Sequence, residues 1–179
     1  MAGEPLTKAR QLAARYNLLV SLLWTLVCLG PVAGYFYRYM PVNWLWVIVP
    51  TALFPYFLPA SWLDRYAVST SRHFYERMGV QAVLGVVQHG RYVNRRIKSR
   101  FPGYRIVYDR ETIRRKIKET YQFERFHYGL LLAFIIPISH AWSVYWYRGV
   151  ILVVCNMVYN VYPILMQQYV RLRLKRMVK

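Results

Sequence analysis

The pattern of apolar and charged positions divides the chain into two hydrophobic pairs separated by a long charged segment. Apolar runs cover residues 16–37 and 42–60, and two more cover residues 129–147 and 149–169. Each run has about 20 residues and almost no charge, as a bilayer-spanning helix requires. Every run contains proline, which membrane helices tolerate when neighbouring groups satisfy the freed backbone. The pattern predicts an all-α integral membrane protein, a single membrane domain over residues 1–179 with four transmembrane helices.

Residues 61–127, between the second and third runs, are predicted to form an amphipathic, interfacial helical segment. The stretch DRYAVSTSRHFYERMGV, residues 64–80, mixes aromatic and cationic residues as helices in a lipid headgroup layer do. Pro102 and Gly103 indicate a turn. Asp109 is a candidate cap for a new helix that continues into the third span, since no break precedes Pro137.

The charges follow the same division of the chain. There are 25 Lys and Arg residues against 7 Asp and Glu, a net charge of +18, and fifteen of the cations lie between the second and third runs. The positive-inside rule then places the N-terminus, the central segment and the C-terminus in the cytoplasm, in a multi-pass protein of the cell membrane. Cations arranged by topology favour anionic lipid headgroups as partners and argue against nucleic acid.

One face of the helix after Asp109 carries ionisable residues toward the membrane. Positions three and four residues apart form a single stripe: Ile113, Ile117, Thr120, Glu124, His127 and Leu131. Glu124 and His127 therefore point where the isoleucines point. A carboxylate can orient an imidazole, which can then take a proton from a hydroxyl that attacks an ester or thioester. We predict that His127 is a general base and Glu124 its orienting partner.

Two other interpretations of this pair are open. In the first, Glu124 forms an ion pair with a nearby Arg or Lys, and His127 is an interfacial polar residue. In the second, the E-x-x-H spacing supplies metal ligands, as in di-iron bundles, although those sites take motifs from two helices and one copy is present here. No metal and no other cofactor is predicted.

The residues around the pair resemble the signature of a known family. The stretch ETYQFERFHYGLLL is similar to the E-T-x-x-x-E-x-x-H-W/Y signature of the glycosyl-4,4'-diaponeurosporenoate acyltransferases. The positions in register are Glu119, Thr120, Glu124 and His127. The stretch NVYPILMQQYVRLRL resembles the N-x-P…Q-R-Y-N-R-P-R-L ending of that family, with matches at Asn160, Gln167, Tyr169, Arg171, Arg173 and Leu174. The chain departs from the pattern at Gln168, Val170 and Leu172, where the family has arginine, asparagine and proline.

The resemblance implies transfer of a fatty acyl group from acyl-CoA or acyl carrier protein to a hydroxyl of a membrane-held glycolipid or carotenoid-type acceptor. Both donors are anionic, and arginine suits phosphate because its planar fork binds two oxygens at once. The predicted substrate-binding residues are Glu119, Thr120, Asn160, Gln167, Tyr169, Arg171, Arg173 and Asn94. Hydrogen bonding between helices is an alternative for Asn160 and Gln167 and fits Asn160 equally well, and Arg171 and Arg173 also fit lipid anchoring.

Two alternative functions are compatible with the sequence. One is a non-catalytic membrane adaptor with a basic cytoplasmic surface. The other is a metal-dependent membrane enzyme that uses the E-x-x-H pair.

Overall fold

The computed structural model describes residues 3–87, 90–104 and 109–178, and every regular element within these ranges is helical, which confirms the predicted all-α class. The α-helices are α1 (Gly3–Tyr39), α2 (Leu45–Leu53), α3 (Ala60–Arg65), α4 (Arg72–Arg77), α5 (Val80–Val86), α6 (Arg91–Arg100), α7 (Arg110–Val144), α8 (Trp146–Asn156) and α9 (Tyr162–Val178). Val42–Trp44 and Phe54–Phe57 form 3₁₀ turns, and Met157–Val161 forms a π-helical turn that joins α8 to α9. Residues 88–89 and 105–108 of the predicted interfacial segment lie outside the described residues.

Three helical stretches of the described chain are long and apolar enough to cross a bilayer, namely Thr7–Tyr39, Arg110–Val144 and Trp146–Val178. Each is about 50 Å long at the usual rise per residue, well beyond the hydrocarbon thickness of a membrane. The prediction that the helix after Asp109 continues into the third span is confirmed, because α7 passes Pro137 without a break. The side chain of Asp109 accepts a hydrogen bond from the backbone N–H of Thr112 at 2.6 Å, which confirms the predicted cap.

The second predicted span, residues 42–60, does not form a fourth helix of this length, so the prediction of four such spans is wrong. Its helical part covers only Val42–Phe57 and is divided into a 3₁₀ turn, α2 and a second 3₁₀ turn. Leu58 has an extended backbone (φ −73°, ψ 131°), as residues before a proline usually do, and here the next residue is Pro59. The prolines therefore end the helix before it reaches the length of the other three.

α7 is the central helix, and α2, α8 and α9 all pack along it. At its crossing with α2 the backbones approach so closely that a Cβ on Gly129 would lie 2.1 Å from the carbonyl oxygen of Ala52. Farther along α7, one buried apolar cluster joins α1, α7 and α8; its members include Cys28, Val32, Tyr35, Phe134, Ala141, Leu152 and Cys155. The rings of Tyr39 and Tyr145 meet at the far end of these helices, with centroids 5.6 Å apart.

The short helices α3 to α6 lie at the other end of the long helices, away from Tyr39 and Tyr145. Val93 and Ile97 of α6 are buried in one cluster with Ala9 and Ala13 of α1. α4 and α5 pack against α9, and Lys175 in the last turns of α9 bonds Asp64 of α3 at 2.7 Å. The start of α1, the helices α3 to α6 and the end of α9 therefore lie together, and we call this part of the molecule the basic end.

The predicted amphipathic helix over residues 64–80 is interrupted in the structure, where α3 ends at Arg65 and α4 begins at Arg72. The backbone N–H groups in between bond to side chains instead of to a preceding helical turn: Val68 N donates to Gln168 and Ser71 N to the hydroxyl of Ser69. Gly79, with φ +75°, then provides the left-handed residue that separates α4 from α5.

Candidate active site

A buried ion pair joins α7 to α9. Glu124 is fully buried, and its Oε2 accepts a hydrogen bond from Nη1 of Arg171 at 2.5 Å. The guanidinium of Arg171 also reaches Asp64 on α3, with Nε 3.1 Å from Oδ1. An unpaired charge is costly in an apolar interior, so the buried carboxylate of Glu124 and the buried guanidinium of Arg171 stabilise each other.

Gln168 completes the environment of Glu124. Its Oε1 accepts from the backbone N–H of Val68 at 3.1 Å and lies 2.9 Å from the hydroxyl of Tyr75. Its Nε2 donates to Glu124 Oε1 at 2.7 Å. A backbone N–H can only donate, so the contact with Val68 fixes which end of the amide faces Glu124. Both carboxylate oxygens of Glu124 are therefore engaged by α9.

Asp64 links this buried pair to the surface of the basic end. Its Oδ2 accepts hydrogen bonds from the hydroxyl of Tyr121 and from Nζ of Lys175, both at 2.7 Å. Burial opposes the ionisation of Asp64, but these hydrogen bonds and the charge of Arg171 outweigh it and lower the pKa of the carboxyl below its ordinary value. Arg171 also stacks over the ring of Tyr121, 4.3 Å from its centroid. Glu124 therefore pairs with Arg171, and Asp64 pairs with both Arg171 and Lys175.

His127 lies one turn farther along α7, in a different setting. Its half-buried ring packs edge-on against Tyr159, with centroids 5.9 Å apart, and its Nδ1 is 3.4 Å from Oδ1 of Asn160. Asn160 is fully buried within the π-helical turn. Its Nδ2 donates to Oδ1 of Asn156 at 2.7 Å. π-helical turns inside α-helices frequently occur at functional sites, and this one places an asparagine beside the histidine.

The predicted stripe on α7 faces inward, because none of its six members is exposed. Glu124 and His127 nevertheless have separate partners: Arg171 and Gln168 for the first, Asn160 for the second. The contacts of Glu124 are those of the ion-pair alternative, and the side chain within hydrogen-bonding distance of His127 Nδ1 is Asn160.

The other predicted binding residues of α7 and α9 lie apart from His127. Thr120 donates to the carbonyl of Ile117 at 2.6 Å, and Glu119 pairs with Lys116 at 2.5 Å, so both act within α7. The hydroxyl of Tyr169 is 3.2 Å from Glu76 on α4. Gln167 is partly exposed on α9.

Arg171 is unlike the other predicted phosphate ligands in its exposure. Its side chain is only 3% exposed and already faces two carboxylates. Arg173 is exposed and lines a cleft of about 210 Å³ with Arg72 and Arg176. Asn94 lines an open depression of about 910 Å³ on α6, beside Arg91, Arg95, Lys98 and Ser99. An anionic ligand can reach these two places on the basic end without displacing a buried group.

Sequence reasoning missed four residues that build the site: Asp64, Tyr75, Asn156 and Gln168. Asp64 carried a signal, because acids are scarce in a chain with 25 cations, and a scarce acid is a natural partner for a buried arginine. Gln168 was singled out only as a departure from the family pattern. Nothing in the spacing distinguishes Asn156 from any other polar residue in an apolar run.

The metal-ligand alternative needs further ligands close to Glu124 and His127. Within the described ranges, no group of three or more His, Cys, Asp or Glu side chains lies close enough to hold a metal ion.

The comparisons with known proteins agree with the resemblance in the sequence. The family model described as glycosyl-4,4'-diaponeurosporenoate acyltransferase matches residues 59–179, which is more than half of the chain and includes the whole site. No significant match links the chain to a curated protein or to a solved structure. The chain belongs to the glycosyl-4,4'-diaponeurosporenoate acyltransferase family, which indicates an acyltransferase of carotenoid biosynthesis.

Proposed function

We propose that this member of the family transfers a fatty acyl group from a thioester donor to a hydroxyl of a membrane-held glycolipid or carotenoid-type acceptor, with His127 as the general base. The observation that carries the proposal is the family match over residues 59–179, because it contains both α7 with His127 and the π-helical turn with Asn160. Membership in the family supports acyl transfer, and the environment of His127 supports its assignment as the residue that accepts the proton.

The proposed reaction is a direct transfer in which the atoms balance. The acceptor hydroxyl gives its proton to Nε2 of His127 as its oxygen attacks the thioester carbonyl carbon. The C–S bond then breaks, and the imidazolium returns the proton to the thiolate that leaves. The products are an ester and a free thiol. The carboxylate of Glu124 takes no part in this step, since Arg171 and Gln168 hold both of its oxygens.

The surface of the long helices supports a place in the bilayer. Leucines cover the outward face of α1 with between 49% and 71% of each side chain exposed: Leu18, Leu19, Leu22, Leu23 and Leu26. A contiguous apolar surface of this kind is unusual on a water-soluble protein and fits contact with lipid. By the positive-inside rule, the basic end then faces the cytoplasm together with both chain termini.

This orientation suits an acyl donor made in the cytosol. Acyl-CoA carries phosphates and acyl carrier protein has an acidic surface, so either would be attracted to exposed arginines. We propose that the donor docks on the basic end, where Arg173 and Arg176 share a cleft and Asn94 lies among the cations of α6. We assign Arg171 a different role, the support of Glu124 and of the contact between α7 and α9.

The proposal is tested by mass spectrometry of total lipid extracts. Cells that lack the protein are compared with cells that express the wild type, His127→Gln or His73→Gln at matched membrane levels. His73 is a fitting control, because its side chain is 87% exposed on α4 and the substitution is the same. We expect one acylated lipid to appear with the wild type and His73→Gln only, while its unacylated precursor accumulates in the other two strains.

The same extracts address the adaptor alternative. If His127→Gln supports the same lipid profile as the wild type, His127 is not the base. If the wild type adds no acylated lipid at all, acyl transfer itself is contradicted, and an adaptor with a basic surface becomes the better account.

A further inference from the structure

The geometry points to Asn156 as a positioning residue: a relay from the Leu131 carbonyl through Asn156 and Asn160 holds the His127 imidazole with its proton on Nδ1 and leaves Nε2 free to accept one. The catalytic consequence rests on the proposed function, whereas the protonation pattern of the ring does not.

The Leu131 carbonyl, at the end of the relay farthest from His127, fixes how the amide groups are oriented. Nδ2 of Asn156 lies 3.3 Å from the backbone carbonyl oxygen of Leu131. A carbonyl oxygen can only accept, so the amide nitrogen of Asn156 must face it, and the amide oxygen must point the other way. A reversed Asn156 would place two acceptors against each other in a buried setting, which costs free energy.

Each link then determines the next. Oδ1 of Asn156 accepts from Nδ2 of Asn160 at 2.7 Å, so Oδ1 of Asn160 is the end that faces the ring of His127. That oxygen lies 3.4 Å from Nδ1 and can only accept from it. Nδ1 is therefore the protonated nitrogen, and Nε2 carries the lone pair that the proposed reaction needs.

Burial makes the relay effective. Asn160 is fully buried and Asn156 is 6% exposed, so water has little access to replace a missing partner. An amide that lost its anchor could turn over and present its N–H₂ group to Nδ1. That would favour the tautomer with the proton on Nε2, in which the free lone pair points into the protein. In serine proteases, loss of the correct histidine tautomer lowers kcat roughly 10⁴-fold.

Two variants of Asn156 distinguish a role in positioning His127 from a role in packing alone. Asn156→Leu removes both hydrogen bonds at similar volume. Asn156→Asp keeps the relay when its carboxyl is protonated, because the O–H can donate to the Leu131 carbonyl while the other oxygen accepts from Asn160. We expect Asn156→Leu to lower kcat by about 10²-fold with a smaller change in KM, and Asn156→Asp to restore most of that loss.

The decisive readout is the ¹⁵N NMR spectrum of histidine-labelled protein in lipid nanodiscs, with the His127 signals identified by their absence from His127→Gln. The wild type is expected to show a protonated Nδ1 and an unprotonated Nε2, and Asn156→Leu a shift toward the opposite tautomer. A wild-type ring with its proton on Nε2 overturns the inference even if the Leu variant cannot be purified. If the wild type shows the expected spectrum but transfers no acyl group, the relay is supported and the proposed function is contradicted.

Discussion

At the scale of single residues, Glu124 and His127 lie one turn apart but have different hydrogen-bond partners. Glu124 is held by Arg171 and Gln168, whereas His127 faces Asn160 in the π-helical turn. Helical periodicity predicted that both side chains point inward, which the structure confirms. It does not predict their partners, because these come from a helix more than thirty residues away, and the choice among them depends on the rotation and depth of that helix.

The buried pair gives a prediction on stability. Arg171→Gln leaves the buried Glu124 carboxylate without a cation, so it should cost about 3 kcal/mol or more. Glu124→Gln leaves Arg171 its contact with Asp64, so it should cost less, about 1–3 kcal/mol. For a chain of this size the melting temperature of Arg171→Gln in detergent should then fall by roughly 6–12 °C. The double variant should lose less than the sum of the two, because neither charge is left alone.

The control for this prediction is Glu119→Gln on the same helix. Glu119 is about one-third exposed and pairs with Lys116 within α7, so its substitution should cost well under about 1 kcal/mol. Equal melting temperatures for Glu124→Gln and Glu119→Gln would contradict the structural role assigned to the buried pair.

At the scale of elements, the predicted helices differ from the observed ones where prolines are closely spaced. A single proline inside α1 and another inside α7 leave those helices intact, as expected for membrane segments. The second apolar run has Pro50, Pro55 and Pro59 within ten residues, and there the chain forms only the nine-residue α2 with a 3₁₀ turn on either side. Composition and length predicted a span because both measures ignore how closely the helix-breaking residues are spaced.

The crossing of α2 over α7 gives a prediction at this scale. A methyl group on Gly129 would meet the Ala52 carbonyl, so Gly129→Ala must push the two helices apart and should cost about 1–3 kcal/mol. Gly34→Ala on α1 is the matched control, because a Cβ there has no heavy atom within 4 Å. Thermal unfolding of the purified variants measures the difference, and a Gly129→Ala protein as stable as Gly34→Ala would show that this crossing is not tightly packed.

At the scale of the whole molecule, the arrangement of charge agrees with the arrangement of helices. Charge counts predict that the central cations and both termini share one side of the membrane. The structure brings the start of α1, α6 and the end of α9 to the basic end, an arrangement that this placement requires. The path of the chain through α3, α4 and α5 could not be predicted from the sequence, because it depends on contacts with α9 such as that of Val68 with Gln168.

Thiol labelling in sealed vesicles tests the proposed orientation. Ser99 on α6 and Ser143 near the end of α7 are both exposed and lie at opposite ends of the molecule, so each can be replaced by Cys. We expect an impermeant reagent to label Ser99→Cys only from the cytoplasmic side and Ser143→Cys only from the other side. The native Cys28 and Cys155 are buried and provide a low background. Labelling of both variants from one side would contradict the proposed placement in the membrane.

The most direct test of the central claim is acyl transfer by purified protein in nanodiscs, with the acceptor identified from the lipid extracts. We expect His127→Gln to lower kcat by about 10²-fold or more with little change in KM for the donor, whereas His73→Gln keeps the wild-type rate. A His127→Gln enzyme within a few-fold of the wild-type kcat would contradict the assignment of His127 as the base.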